Sequence, residues 1–238
     1  MNPFEHTESV AFELSNWCSH AWLHEKCPLH LEATPGMIRA PVTLPSGIVL
    51  GVLEELGTAD YAGEIGFHQY NEPLQDPRLF WLLDRLCLIC PLAQPYIVTN
   101  GANLTMDLCL ELRDLNVSRV VVSAYGDVMH KRMALLEGTF GDWITWSGAP
   151  MDDRLLVYDV PQEPPLEPCY APLRQVVITR DGKVGLCCYD WQRQHTFGDL
   201  RDRTLGEILL SPQVRRLYEQ LSTGRREENL CKQCGRSR

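Results

Sequence analysis

Ten cysteines in 238 residues constrain this chain more than any other feature. The opening stretch MNPFEHTESV has neither the basic nor the apolar region of a signal peptide. No segment approaches the roughly 20 apolar residues of a membrane span. The cytoplasm is therefore the expected compartment. In a reducing compartment thiols are seldom paired as structural disulfides, so metal binding or catalysis becomes their expected use.

Half of the cysteines lie in the tail: Cys169, Cys187, Cys188, Cys231 and Cys234. Just before them, PQEPPLEP (161–168) has four prolines in eight residues and reads as a stiff linker. QVVITRDGKVGLCC (175–188) reads as a hairpin turning at Asp181-Gly182. It brings Cys187 back towards Cys169, while Cys231-x-x-Cys234 places two more thiolates together. Four thiolates suit a [4Fe–4S] cluster or a tetrahedral zinc. Cys188 is the spare, because neighbouring strand residues face opposite ways. A scatter of buried small hydrophobes is the plainer alternative, and a CxxC with a CC on a hairpin argues against it.

A second set lies near the start. Cys18, Cys27 and His30 are spaced C-x8-C-x2-H, with His20 and His24 between them. All five offer soft or borderline ligands, so zinc and a redox cluster are both open on spacing alone. Cys87, Cys90 and Cys109 sit in apolar helical stretches and read as core packing.

Between these sets the pattern alternates. Val10, Phe12 and Leu14 mark a strand, 48–57 a helix, and 64–70 a strand running into Asn71-Glu72-Pro73. Residues 77–90 are helical, 96–101 a strand, 105–115 a helix, 119–126 a strand and 127–137 a helix, and a further strand starts at 144–146. Such alternation predicts βα units with a parallel sheet or partial barrel. Chemistry in these folds sits at the carboxyl ends of the strands. Cys18, Glu72, Asn100 and Ser123 each fall at or just beyond one. Residues 204–221 read as helical. The net charge of −9 makes nucleic acid a poor partner, and Arg225-Arg226 reads as a solvated face.

These features together resemble the radical S-adenosylmethionine (SAM) superfamily with a SPASM, or shortened "twitch", C-terminal domain. GFHQYNEPLQDPRL (66–79) is similar to the family's second strand and Gly-Glu-Pro motif, and IVTNGANLT (97–105) to its third strand. The tail, from Cys169 through ITRDGKVGLCC and FGDLRDRTLGEIL to CKQC, is similar to a twitch domain. The resemblance implies an α/β fold: a partial (β/α)6 TIM-like barrel over 8–160 and a small twitch/SPASM iron–sulfur domain over 161–238. By length and by YAGEIGFHQYNEP (61–73), the chain resembles members that dehydrogenate a small cyclic or sugar-like alcohol.

The implied cofactors are SAM and two [4Fe–4S] clusters. Cys18, Cys27 and His30 would hold the cluster that leaves one iron open for SAM; Cys169, Cys187, Cys231 and Cys234 would hold the auxiliary one. Glu72 would accept hydrogen bonds from the SAM ammonium, and Asn100 and Ser123 would meet the SAM ribose or the substrate. The chemistry implied is reductive cleavage of SAM to a 5′-deoxyadenosyl radical that abstracts a substrate hydrogen, with the auxiliary cluster taking the next electron. The implied partners are a small-molecule substrate and a reducing donor of flavodoxin or ferredoxin type, with no nucleic acid and no membrane.

Two departures stand out. The family's C-x3-C-x2-C run is absent, and Asn71 replaces the Gly of the Gly-Glu-Pro motif. A histidine ligand raises a cluster's potential, as in Rieske centres, and so opposes SAM cleavage. Three arrangements stay open: a Cys/Cys/His cluster that is active, two cysteines with His20 or His24, and a site that no longer cleaves SAM. The first is preferred because His30 keeps the two-residue gap after Cys27. Two other functions compete, namely a peptide-modifying member and a non-catalytic iron–sulfur or zinc protein. The first usually carries a peptide-binding domain ahead of the barrel, where only a short segment stands here. Among residues that by position line a pocket are His68, Tyr70, Tyr125, His130 and Arg154.

Overall fold

The computed structural model describes residues 2–21, 23, 27–29, 42–148, 168–227, 229–232 and 234. Apolar and β-branched runs form the strands β1 (Ser9–Phe12), β2 (Glu64–Gly66), β3 (Gln94–Thr99), β4 (Arg119–Ala124) and β5 (Ile144–Gly148). Helices α1 (Ser46–Thr58), α2 (Leu79–Ile89), α3 (Met106–Asp114) and α4 (Gly126–Phe140) intervene. The tail contributes α5 (Ala171–Arg174), β6 (Gln175–Ile178), β7 (Lys183–Gly185), β8 (Thr196–Asp199), α6 (Leu205–Leu209), α7 (Pro212–Ser222) and α8 (Asn229–Lys232).

All eight strands join one sheet in the order β5-β4-β3-β2-β1-β6-β7-β8. The first six in that order are mutually parallel, and β7 and β8 continue as antiparallel strands. From β1 to β5 the order advances in a single direction. With right-handed crossovers this places the intervening helices on one face, as in a barrel rather than a doubly wound sheet. Among the described residues the sheet stays open, with β5 and β8 at its edges. The α/β partial barrel expected from the sequence is thus the observed architecture.

The strand expected around Val10 and Phe12 is β1. All four of its residues are buried, because it lies between β2 and β6 in the middle of a parallel sheet. The core on the helical side is built from α1 and α2, where Leu53, Leu56, Leu82, Leu83 and Leu86 are fully enclosed. Each such side chain contributes roughly 2 kcal/mol of burial. Helix starts follow their caps: the Thr105 hydroxyl accepts the Leu108 N–H, and Thr204 with Glu207 forms a reciprocal capping box.

Two segments differ from expectation. The strand predicted over 64–70 ends at Gly66. There a Cβ would lie 2.6 Å from the His68 ring, and the buried Asn71 side chain then holds the turn, accepting the Gln69 N–H and donating to the Phe67 carbonyl. The helical stretch over 204–221 is two helices. Pro212 brings no N–H to continue α6, and the Ser211 hydroxyl accepts the Val214 N–H to start α7.

Among the contacts that fasten the tail to the rest, three stand out. One is the β1–β6 ladder, which runs from Ser9↔Gln175 to Phe12↔Ile178. A second is Glu55 of α1, whose carboxylate accepts the Leu205 and Gly206 N–H groups at 2.9 Å each. The third is Glu13, 1% exposed, which pairs with Arg180 at 2.9 Å and with Arg193. No described helix is long and apolar enough to cross a membrane.

Candidate functional site

At the carboxyl ends of β2, β3 and β4 the chain closes around a cavity. Glu72, Asn100 and Ser123 all border it, together with Cys18 and Cys27 from the loop after β1. Cys18 and Asn100, 82 positions apart in sequence, meet because parallel strands in register end on one level.

Glu72 is the most constrained group there, at 3% exposure. One carboxylate oxygen accepts the Thr99 hydroxyl at 2.6 Å and the Leu74 N–H at 3.1 Å; the other accepts the Asn100 N–H at 2.7 Å. Burial raises its pKa above the ordinary carboxylate value, and these three hydrogen bonds oppose the rise. Asn100 also donates its side-chain N–H to the Cys18 sulfur at 3.5 Å. The Cys18 thiol is pushed up chiefly by burial, with a His20 backbone bond and Asn100 opposing and the Glu72 carboxylate adding to the rise. A carboxylate, an amide and two thiols facing one space can hold a cation and soft metal together.

His68 forms part of the same wall. Its Nε2 lies 3.2 Å from the Tyr96 hydroxyl, and its buried Nδ1 has no hydrogen-bond partner. Burial first, and then the nearby Arg119 guanidinium, lower its pKa to about 4. Arg119 is itself fixed by two bonds to Glu64, at 2.8 and 2.7 Å, and stacks on Tyr96 at 4.5 Å. The imidazole is therefore neutral near pH 7.

A second cavity lies in the tail. Cys169, Cys187, Cys231 and Cys234 all line it, among apolar neighbours that include Leu186, Leu221 and Leu230. Burial first, and then the neighbouring Cys188 and Cys231 thiols, raise the Cys187 pKa well above its ordinary value. A buried thiol in that state needs a metal to favour its thiolate, and an all-thiol donor set in apolar surroundings fits a [4Fe–4S] cluster. Among the described residues, no three His, Cys, Asp or Glu side chains converge on one point where a single ion would sit.

Of the residues singled out from sequence, Cys18, Cys27, Glu72, Asn100 and Ser123 border the first cavity and the four tail cysteines border the second. His30, His24 and Arg154 lie outside the described residues. His20 keeps its Nδ1 3.1 Å from the Ser19 hydroxyl and its ring 5.7 Å from that of Tyr125. His68, Tyr70 and Tyr125 line the first cavity, whereas His130 packs on Trp146 with its Nε2 3.3 Å from the Ala124 carbonyl. Cys90 and Cys109 are buried in the core, and the half-buried Cys87 donates to the Leu115 carbonyl. Thr99 went unnoticed in the sequence; the signal was a hydroxyl directly before the Asn100-Gly101 turn. Asn71, in the glycine position of the family motif, is not among the residues with positive φ. The backbone there does not require glycine.

Comparison with known proteins adds three findings. The profile of the SPASM iron–sulfur cluster-binding domain matches residues 169–235. An S-adenosyl-L-methionine-dependent 2-deoxy-scyllo-inosamine dehydrogenase from Niallia circulans is 26% identical over 192 residues, covering 77% of each chain. Among solved structures, BtrN in complex with AdoMet and 2-DOIA superposes with a TM-score of 0.79 at 21% identity, over 97% of this chain and 93% of that one. Native anSMEcpe with bound AdoMet does so with a TM-score of 0.61 at 9% identity, over 90% and 83%.

Proposed function

We propose that the chain is a radical SAM protein with a SPASM iron–sulfur domain and that it oxidises an alcohol carbon of a small cyclic or sugar-like substrate. The first compound to try is 2-deoxy-scyllo-inosamine, on which the Niallia circulans relative acts by name. Its cofactors are SAM and two [4Fe–4S] clusters; once reduced, they supply a 5′-deoxyadenosyl radical able to take hydrogen from carbon.

The observation that carries this reading is the pair of cavities. Cys18 and Cys27 would bind the cluster beside Glu72, with His30 as the third ligand and one iron left to SAM. Glu72 spends three acceptor positions on Thr99, Asn100 and Leu74. A carboxylate has about four, so one remains for the SAM ammonium. Asn100 donates to the Cys18 sulfur, which draws charge off the thiolate and orients it. Asn100 and Ser123, which border the same cavity, would meet the SAM ribose or the substrate. His68 stays neutral in the wall of the cavity, which adds no charge beside the ligand. In the tail, Cys169, Cys187, Cys231 and Cys234 would hold the auxiliary cluster. A cytoplasmic donor of flavodoxin or ferredoxin type would supply the first electron.

The test is anaerobic reconstitution with iron and sulfide, followed by SAM, dithionite and 2-deoxy-scyllo-inosamine. The expected products are 5′-deoxyadenosine and a ketone lacking two hydrogens of the alcohol, both read by mass spectrometry. Absence of 5′-deoxyadenosine would refute the radical chemistry. Its presence without ketone would refute the substrate.

A further inference from the structure

One side chain of the first cavity is hydrogen-bonded to the segment that lines the second. Tyr70 borders the first, as do Cys27 and Glu72. Its hydroxyl donates to the Cys188 carbonyl at 2.7 Å, across 118 residues of sequence. Cys188 follows Cys187, which lines the second cavity. The aromatic ring is clamped rather than loose. Tyr70 is 9% exposed and packs in a small apolar cluster with Cys27, Leu29 and Trp191, apart from the main core. Trp191 comes from the same turn as the Cys187-Cys188 pair, where the Asp190 N–H donates to the Cys187 carbonyl. The two cavities are thus joined by a phenol ring, one hydrogen bond and the backbone between Cys188 and Cys187.

We propose that Tyr70 is the positioning residue that couples the substrate pocket electronically to the auxiliary cluster. The inference rests on the alcohol-oxidising reading above. After hydrogen abstraction the substrate carries an unpaired electron on a carbon that still bears its hydroxyl. Forming the carbonyl breaks the O–H bond and releases one proton and one electron. The proton goes to water in the pocket. The electron would be taken up by the auxiliary cluster that Cys169, Cys187, Cys231 and Cys234 would hold. Tyr70 is neither oxidised nor deprotonated in this step; its ring and hydrogen bond replace a through-space gap with a bonded route. A short O–H···O contact held by buried packing keeps that route in one geometry, as a positioned group requires.

Tyr70→Phe retains the ring and its packing and removes the bond to Cys188. The measurement is the amount of ketone formed per 5′-deoxyadenosine from 2-deoxy-scyllo-inosamine, a ratio that a change in cleavage rate alone does not move. Freeze-quench electron paramagnetic resonance reads the substrate radical and the auxiliary cluster in the same samples. The expected result is a fall in the ratio and a carbon-centred radical that persists, with iron content and the auxiliary-cluster signal as in the wild type. An unchanged ratio with no persistent radical overturns the proposal. So does a variant that loses the auxiliary cluster, because Tyr70 would then be supporting the fold of the tail. A wild type that forms no 5′-deoxyadenosine overturns the enzymatic reading itself, and the coupling with it.

Discussion

Replacing His68 by Gln tests the electrostatic reading of the first cavity. The imidazole is held near pKa 4 by burial and by Arg119, against about 6.5 for a histidine in the unfolded chain. As pH falls below 6.5, the unfolded state takes up this proton first, so stability drops. The loss is complete once pH has passed below the folded value. At about 1.4 kcal/mol per pH unit, the full gap is worth about 3 kcal/mol. Between pH 7 and pH 5.5, a range gentle to the clusters, the share is about 1 kcal/mol. Glutamine does not titrate, and its amide reaches the Tyr96 hydroxyl that Nε2 now meets at 3.2 Å. Urea unfolding under argon at the two pH values, for wild type and His68→Gln, gives the comparison. The wild type should lose about 1 kcal/mol more than the variant over that interval. Equal losses would show that His68 is accessible to protons in the folded chain, and the neutral imidazole in the cavity wall would have to be abandoned.

Further expectations concern both cavities and the contact between them. Glu72→Gln removes the charge aimed at the SAM ammonium, and SAM binding measured by equilibrium dialysis should weaken by about 2 kcal/mol, or roughly thirtyfold. Cys231→Ser combined with Cys234→Ser should lower the iron count by about four per chain while leaving the signal of the other cluster. Glu13→Gln strips the countercharge from buried Arg180 and its neighbour Arg193, and should cost about 3–5 kcal/mol in chemical denaturation. Asn71→Gly, although it restores the family's usual residue, breaks two side-chain bonds that hold the turn and should destabilise by about 1–2 kcal/mol.

What could be read from sequence, and what could not, divides along contact range. The βα alternation was visible because each unit is local, and it located Glu72, Asn100 and Ser123 at strand ends before any of them could be seen to share a cavity. Thr99 was hidden because its role depends on Glu72, 27 residues earlier. The parallel pairing of β1 with β6 was hidden too. Apolar four-residue strands carry no register signal, and nothing local says which edge Gln175–Ile178 will choose. The break at Ser211-Pro212 has a local signal, since serine followed by proline is a helix start, although 204–221 reads as one helical stretch. The bond from Tyr70 to Cys188 is the kind of link that pattern reading never reaches, because neither residue is unusual in its own neighbourhood.

The place of β6 in the sheet has a consequence for biosynthesis. Until residues 175–178 exist, one side of β1 has no strand to pair with. At about 5–20 residues per second, the 162 residues between Phe12 and Gln175 take roughly 8–30 s to translate. Throughout that time the nascent chain carries an apolar open edge of the kind that seeks other chains. Newly made protein should therefore lean on a holding chaperone during its synthesis, and a ribosome stalled before codon 175 should leave a product that clumps rather than a smaller working barrel.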